Sequence, residues 1–194
     1  MVIIDGGGAN IASLRFALQR LGQAAELTTD PDRIRAAERV ILPGVGAARA
    51  AMQGLAATGL DRLIPELTQP VLGICLGLQL LGAASDEDDS VCLGIFPGRA
   101  RRLPGGPELS VPHMGWNRLH QRRPSPLFAD IDEGAHFYFV HSYALPVDEF
   151  TTGSCDYGVE FAAVVERGNF MATQFHPERS GTAGARLLAN FLAL

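Results

Sequence analysis

Three residues of this 194-residue chain could carry out covalent chemistry together: Cys75, His176 and Glu178. Cys75 stands in Val71-Leu-Gly-Ile-Cys75-Leu-Gly-Leu-Gln79, between an apolar run and a helix-favouring segment, with glycines two residues to either side at Gly73 and Gly77. The pattern predicts a strand, a sharp turn and a helix, with cysteine in the serine position of a Gly-x-nucleophile-x-Gly elbow. Such a turn is crowded, which is why it asks for glycine neighbours. At the head of a helix, backbone N–H groups and the positive dipole end favour a thiolate. A buried structural thiol is the competing explanation. A thiolate nucleophile needs a base, and the base needs a group to orient it. His176-Pro177-Glu178 supplies both. Proline keeps the residue before it extended, and alternation along an extended segment would send side chains 176 and 178 the same way. A lone histidine is usually a hydrogen-bonded structural residue. An elbow cysteine with a late His-x-Glu points instead to a cysteine hydrolase acting on an acyl or amide carbonyl.

The surrounding pattern supplies elements that could hold these groups. Val2-Ile-Ile, Ala24 to Thr28 and Arg39-Val-Ile-Leu42 read as short strands. Between the first two, apolar residues at 11, 14, 18 and 21 form a helical stripe, with Asn10 as N-cap and Gly22 as C-cap. Further helices are expected over 47–58, 76–84 and 180–194, the last with apolar positions 183, 187, 188, 191 and 192. Alternating strands and helices predict an α/β chain with a doubly wound sheet. Loops at the carboxyl edge of such a sheet gather where ligands bind. Pro43-Gly-Val-Gly46 could there place a bare N–H beside Cys75 as an oxyanion donor, although an ordinary tight turn would look the same. Gly6-Gly-Gly8 lacks the spacing of a nucleotide-binding loop. Residues 91–123 lose helical periodicity and read as short strands and loops. Ala135 to Tyr143 reads as a strand, and Phe161–Glu166 with Asn169–Phe175 as a hairpin turning near Gly168.

Composition narrows the function classes. A hydrophobic fraction of 47% supports a full-sized core, and the length suits one domain over 1–194. The net charge of −5, without a long basic run, argues against nucleic-acid binding, with Arg101-Arg102 and Arg122-Arg123 read as solvated loop charges. No apolar run approaches membrane-spanning length, and the first residues lack the pattern of a secretion signal. Three cysteines favour a reducing, cytoplasmic setting over a disulfide framework, with Cys92 and Cys155 structural. The histidines and cysteines show no metal-ligand spacing, so neither metal nor cofactor is expected. The acidic run Ser85 to Ser90 reads as a solvated loop.

Gly73-Ile-Cys-Leu-Gly-Leu-Gln79 together with Gln174-Phe-His-Pro-Glu178 resembles the class I (triad) glutamine amidotransferases. Four more segments resemble, within that family, the glutaminase subunits of imidazole glycerol phosphate synthase of histidine biosynthesis. They are Asp5 to Asn10, Leu42-Pro-Gly-Val-Gly46, Pro112-His-Met-Gly-Trp-Asn117 and Phe137-Tyr-Phe-Val-His-Ser-Tyr143. The resemblance implies a flavodoxin-like, three-layer fold: a mostly parallel central sheet flanked by helices, with extra short antiparallel strands. It implies that Cys75 attacks the glutamine side-chain amide to form a thioester, that His176 moves protons and that Glu178 orients His176. It assigns the oxyanion site to the Leu76 backbone and the loop Gly44, Val45 and Gly46, a loop that rearranges on activation. It assigns the grip on glutamine to Gln79, Glu87 and the backbone of His141, Ser142 and Tyr143, which revises the bland reading of the acidic run. The partner it implies is a cyclase subunit, a (β/α)₈ barrel that receives the ammonia in a heterodimer. Asn10, His113, Trp116, Tyr138 and Arg179 would lie near that interface and the ammonia exit.

The chain departs from the family pattern at Gly6 and Ala9 near the start, at Gly82-Ala83 after the elbow, and at Arg179, where lysine is usual. Arginine keeps the charge but changes hydrogen-bond geometry. The rival readings are another class I glutaminase, such as the pyridoxal phosphate synthase partner, a non-catalytic regulatory subunit, and a free-standing cysteine hydrolase. The Pro112 to Asn117 run argues against the first, and the intact Cys75, His176 and Glu178 against the second.

Overall fold

A computed structural model describes residues 1–6, 11–107 and 109–194. Asn10, expected as a helix cap and interface residue, and most of the Gly6–Gly8 loop lie outside the described residues. The first part of the chain alternates strands and helices: β1 (Val2–Ile4), α1 (Ile11–Arg20), β2 (Glu26–Thr28), α2 (Pro31–Ala36), β3 (Val40–Gly44), α3 (Ala48–Ala57), α4 (Leu60–Leu63), β4 (Val71–Cys75) and α5 (Leu76–Leu81). Strands then dominate: β5 (Ala84–Ser85), β6 (Ser90–Val91), β7 (Arg99–Arg102), β8 (His113–Arg118), β9 (His120–Gln121), β10 (His136–His141), β11 (Tyr143–Ala144), β12 (Thr151–Asp156), β13 (Glu160–Arg167) and β14 (Phe170–Thr173). Helix α6 (Gly181–Leu192) closes the chain.

The central sheet has eight strands in the order β2-β1-β3-β4-β14-β13-β12-β9. The first five are parallel, and β13, β12 and β9 extend the sheet antiparallel. Alternation along each strand divides the apolar side chains between two faces. Ile3, Ile41, Leu72 and Met171 share one cluster with Leu14 and Leu18 of α1 and Leu187, Leu188 and Phe191 of α6. Ile4, Leu42, Val71 and Ala172 share the other with residues of α2, α3, α4 and α5. Each fully buried leucine in these layers contributes roughly 1.5–3 kcal/mol by leaving water. The result is a three-layer α/β fold with a mostly parallel central sheet, as expected. The extra strands form a four-stranded sheet, β11-β7-β5-β6, and an antiparallel ribbon, β8 with β10.

Local chemistry explains where elements begin and end. Helix α2 carries Pro31 in its first turn, and the Asp30 carboxylate accepts from the N–H groups of Asp32 and Arg33. Helix α5 ends at Leu81 rather than at residue 84 because Gly82 turns extended (ψ 174°). A β-carbon at Gly82 would stand 3.0 Å from the carbonyl oxygens of Gln79 and Gly98. The strand expected over 135–143 is two strands. β10 pairs with β8 as far as His141, and after Ser142 the chain crosses to pair with β7 as β11. This switch presents the 141–143 backbone to the site described next.

Candidate active site

The carboxyl ends of β3, β4 and β14 bring together the three segments singled out in the sequence. β3 and β4 align Gly44 with Cys75, and β4 and β14 align Ile74 with Thr173, three residues before His176. Cys75 has φ 56° and ψ −110°, in the left-handed half of φ space that a non-glycine residue occupies at a cost on the order of 1–3 kcal/mol. That backbone turns the thiol away from the sheet and starts α5 in the next residue. The neighbouring glycines have steric causes. A β-carbon at Gly77 would lie 2.0 Å from the Leu42 carbonyl oxygen, and one at Gly73 would lie 2.8 Å from Leu81 Cδ1 and 3.0 Å from the Ala172 β-carbon. Gly44 is constrained likewise: its missing β-carbon would stand 2.7 Å from that of Leu76, so loop and elbow are in backbone contact.

His176 leaves β14 with its N–H donating to the Tyr138 carbonyl of β10 (2.9 Å). The segment that follows is not extended: Pro177–Arg179 forms a 3₁₀ turn. The turn still brings the side chains together, with His176 Nδ1 donating to Glu178 Oε1 at 2.8 Å. Ser180 secures the turn, donating to the His176 carbonyl (2.7 Å) and accepting from the Tyr138 N–H (2.9 Å). Burial alone would lower the His176 pKa. Hydrogen bonds and charge interactions with Cys75 and Glu178 outweigh it and raise the pKa to about 10. Both neighbours thus favour the protonated form of the imidazole.

A cavity of about 460 Å³ opens over the sulfur. Its walls include Gly44, Val45, Gly46, Leu76, Gln79, Glu87, His141, Ser142 and Tyr143 beside Cys75 and His176, together with Pro112, Val140 and Arg179. Gln79 donates its amide to the Tyr143 carbonyl (2.9 Å) and to Gln174 Oε1 (3.3 Å). Glu87 accepts from the Ala48 N–H (2.8 Å). That bond caps α3, whose own N-cap residue Ala47 offers no side-chain acceptor. The acidic run is thus built into the fold: Asp86 and Asp89 both hold Arg99, and Arg49 donates to the Asp88 carbonyl.

The residues expected at an interface divide into two groups. Trp116 is exposed and meets the Tyr138 ring edge-on at 6.1 Å, while the Arg179 guanidinium lies 4.5 Å over the same ring. His113 differs: it is buried and turned inward, with Nδ1 3.1 Å from His141 Nε2. Strand alternation explains this, since residues 113, 115 and 117 of β8 face inward and 114 and 116 outward. Gln174, whose amide lies 3.9 Å from the Cys75 sulfur, and Ser180 are site residues to which the sequence reading assigned no role. A glutamine inside the apolar run from Phe170 to Phe175 was the available signal. Cys92 and Cys155 are buried, and burial pushes their thiols up to about 11 and about 12, which leaves them unreactive.

The sequence profile described as "Glutamine amidotransferase class-I" matches residues 2–194. The chain belongs to the class-I glutamine amidotransferases. Among its relatives within this family, "Imidazole glycerol phosphate synthase subunit HisH" of Xylella fastidiosa (strain Temecula1) is 52% identical over 194 residues, covering 100% of this chain and 97% of the relative. The protein of the same name from Vibrio parahaemolyticus is 48% identical over 200 residues, covering 100% and 98%. Solved structures share the fold. A structure titled "Crystal structure of glutamine amidotransferase" superposes with a TM-score of 0.75 at 19% identity over 99% of this chain and 97% of that one. The "Structure of PurLQS from Thermotoga maritima" superposes with a TM-score of 0.70 at 19% identity, over 99% and 96%.

Proposed function

We propose that this class-I amidotransferase is the glutaminase subunit of an imidazole glycerol phosphate synthase. On this reading it forms a single domain over 1–194, works in the cytoplasm and passes ammonia to a cyclase subunit of (β/α)₈ form. The observation that carries the reading is the geometry: His176, hydrogen-bonded to Glu178, stands beside Cys75 at the wall of one cavity.

The Cys75 sulfur attacks the side-chain amide carbon of glutamine. The carbonyl oxygen takes up the negative charge, facing the Leu76 N–H and the Gly44–Gly46 backbone. His176 gives its proton to the amide nitrogen, the C–N bond breaks, and ammonia leaves a thioester on Cys75. Water then attacks the thioester and His176 takes its proton. The C–S bond breaks, and glutamate departs. Glu178 keeps the imidazole in one orientation and stabilises its charged form throughout. Gln79, Glu87 and the 141–143 backbone hold the amino-acid end of glutamine. Trp116, Tyr138 and Arg179 lie toward the cyclase.

Glutamate release, measured with and without the cyclase and its nucleotide ligand, tests this. Weak activity alone and strong stimulation in the complex are expected; full activity alone would sink the coupled-subunit reading. Cys75→Ala should abolish glutamine use and leave ammonia-driven cyclase turnover intact. Loss of both would assign Cys75 a structural role instead.

A further inference from the structure

We infer that Asn117, His113 and His141 form a one-directional hydrogen-bond line that holds the Tyr143 carbonyl, and through it Gln79, in the geometry that receives glutamine. The inference rests on the glutaminase reading above and concerns positioning residues, not groups that touch the reacting atoms.

The direction of the line follows from one fixed acceptor. His141 Nδ1 lies 2.9 Å from the Tyr143 carbonyl oxygen, which can only accept, so Nδ1 carries the hydrogen. A neutral His141 then presents a lone pair at Nε2. That nitrogen lies 3.1 Å from His113 Nδ1, which must therefore donate. His113 Nε2 is left as the acceptor of the Asn117 amide at 3.4 Å. The orientation of Asn117 is set independently: its amide also donates to the Asp156 carbonyl (2.9 Å), and its Oδ1 accepts from the Arg118 N–H (2.8 Å). Every donor meets an acceptor only if both imidazoles are neutral. Burial produces that state, lowering His113 to about 4 and His141 to about 3. The His113 ring plane is fixed by stacking on Tyr157 at 4.0 Å and Phe139 at 5.0 Å.

At its other end the line meets the site. The Tyr143 carbonyl accepts from both His141 and Gln79, each at 2.9 Å. Gln79 spends its second amide contact on Gln174 Oε1, and the Gln174 amide approaches the Cys75 sulfur at 3.9 Å. With its amide nitrogen committed inside the protein, Gln79 can offer a ligand only its Oε1 acceptor. If the His141 donor is lost, the Tyr143 carbonyl keeps only the Gln79 amide as a hydrogen-bond partner, and the pairing of β11 with β7 alone sets its direction. The line starts on β8, whose outward face carries the exposed Met114 and Trp116.

The test uses His113, which does not line the cavity, in the complex with the cyclase. His113→Phe keeps the ring stack and removes the donor; His113→Asn keeps a donor near the Nδ1 position and removes the stack. Steady-state glutamate release and thermal melts are measured for both. A lost buried hydrogen bond predicts that His113→Phe raises KM for glutamine about tenfold with kcat changed by less than about threefold. His113→Asn should keep KM within about threefold of the wild type although it melts lower. A purely structural role predicts the reverse order, with KM following melting temperature. A folded His113→Phe with wild-type KM overturns the inference. If His113→Phe does not fold, His113→Asn decides by itself, since a tenfold rise in its KM overturns the donor role. A wild-type complex that releases no glutamate overturns the glutaminase reading and this inference with it.

Discussion

Cys75, His176 and Glu178 each carry a distinct load. The sulfur is aimed by a backbone conformation that L-residues avoid, and the site tolerates that strain because β3, β4 and the first turn of α5 are packed against one another without room for side chains at Gly44, Gly73 and Gly77. His176 sits where burial would strip its proton, yet Cys75 and Glu178 hold the pKa at about 10. Glu178→Gln removes the charge that raises it and leaves only a neutral amide oxygen as acceptor. The alkaline limb of kcat/KM for glutamine should then move to lower pH, and kcat should fall on the order of 10²-fold. A pH–rate profile on the complex checks both; an unmoved alkaline limb would show that Glu178 does not set the charge on His176.

Elements transmit position to these residues through backbone contacts. Helix α6 packs directly on the 3₁₀ turn that carries Glu178: a β-carbon at Gly184 would lie 2.0 Å from the Pro177 carbonyl oxygen and 2.7 Å from the Ser180 β-carbon. Gly184→Ala should therefore shift the turn, lower stability by about 1–3 kcal/mol in denaturant titration and reduce kcat along with it. Unchanged kcat in a destabilised protein would mean that the turn absorbs the shift. Glu87 joins a different pair of elements, capping α3 from the acidic segment while also facing the cavity. Glu87→Ala should cost about 1 kcal/mol through loss of the cap. Glu87→Gln keeps a capping oxygen, so its melting temperature should stay near that of the wild type while KM for glutamine rises from the missing charge. Equal KM in Glu87→Gln and the wild type would confine the residue to its capping role.

Across the whole molecule, the sheet separates two apolar layers, and the ribbon of β8 and β10 closes one side of the site with a buried pair of neutral histidines. That pair makes stability acid-sensitive. The ordinary pKa of 6.5 falls to about 3 for His141, because burial outweighs its hydrogen bond to the Tyr143 carbonyl. Between those values the unfolded chain binds the proton and the folded chain does not, so stability is intact above pH 6.5 and declines as pH falls below it. From pH 6.5 to 5 the His141 contribution alone should remove roughly 2 kcal/mol. Urea titrations at pH 7 and 5 would measure it, and equal midpoints would show that the pair protonates without opening the fold.

The doubly wound pattern, the elbow and the His-Pro-Glu segment were legible in the chain because each is a local signal: apolar period, glycine spacing and adjacent residue types. Residue type and spacing likewise singled out Cys75, His176 and Glu178 as a group, and the carboxyl ends of β4 and β14 bring the first two to one cavity. The end of α5 at Leu81 and the break of one expected strand at Ser142 were not legible, because tertiary neighbours impose both. Backbone hydrogen bonds of Ala83 to Gly98 and of Gly94 to Gly82 draw the chain out of the helix at Gly82, and the pairing of β11 with β7 captures the residues after Ser142. The direct contact between His176 and Glu178 was anticipated for the wrong local reason, since a 3₁₀ turn rather than extended backbone joins them. His113 shows the limit most clearly. Its motif placed it with Trp116, but a strand sends neighbouring residues to opposite faces, and only the packing of β8 on β10 decides which face turns inward to His141 and which stays in water.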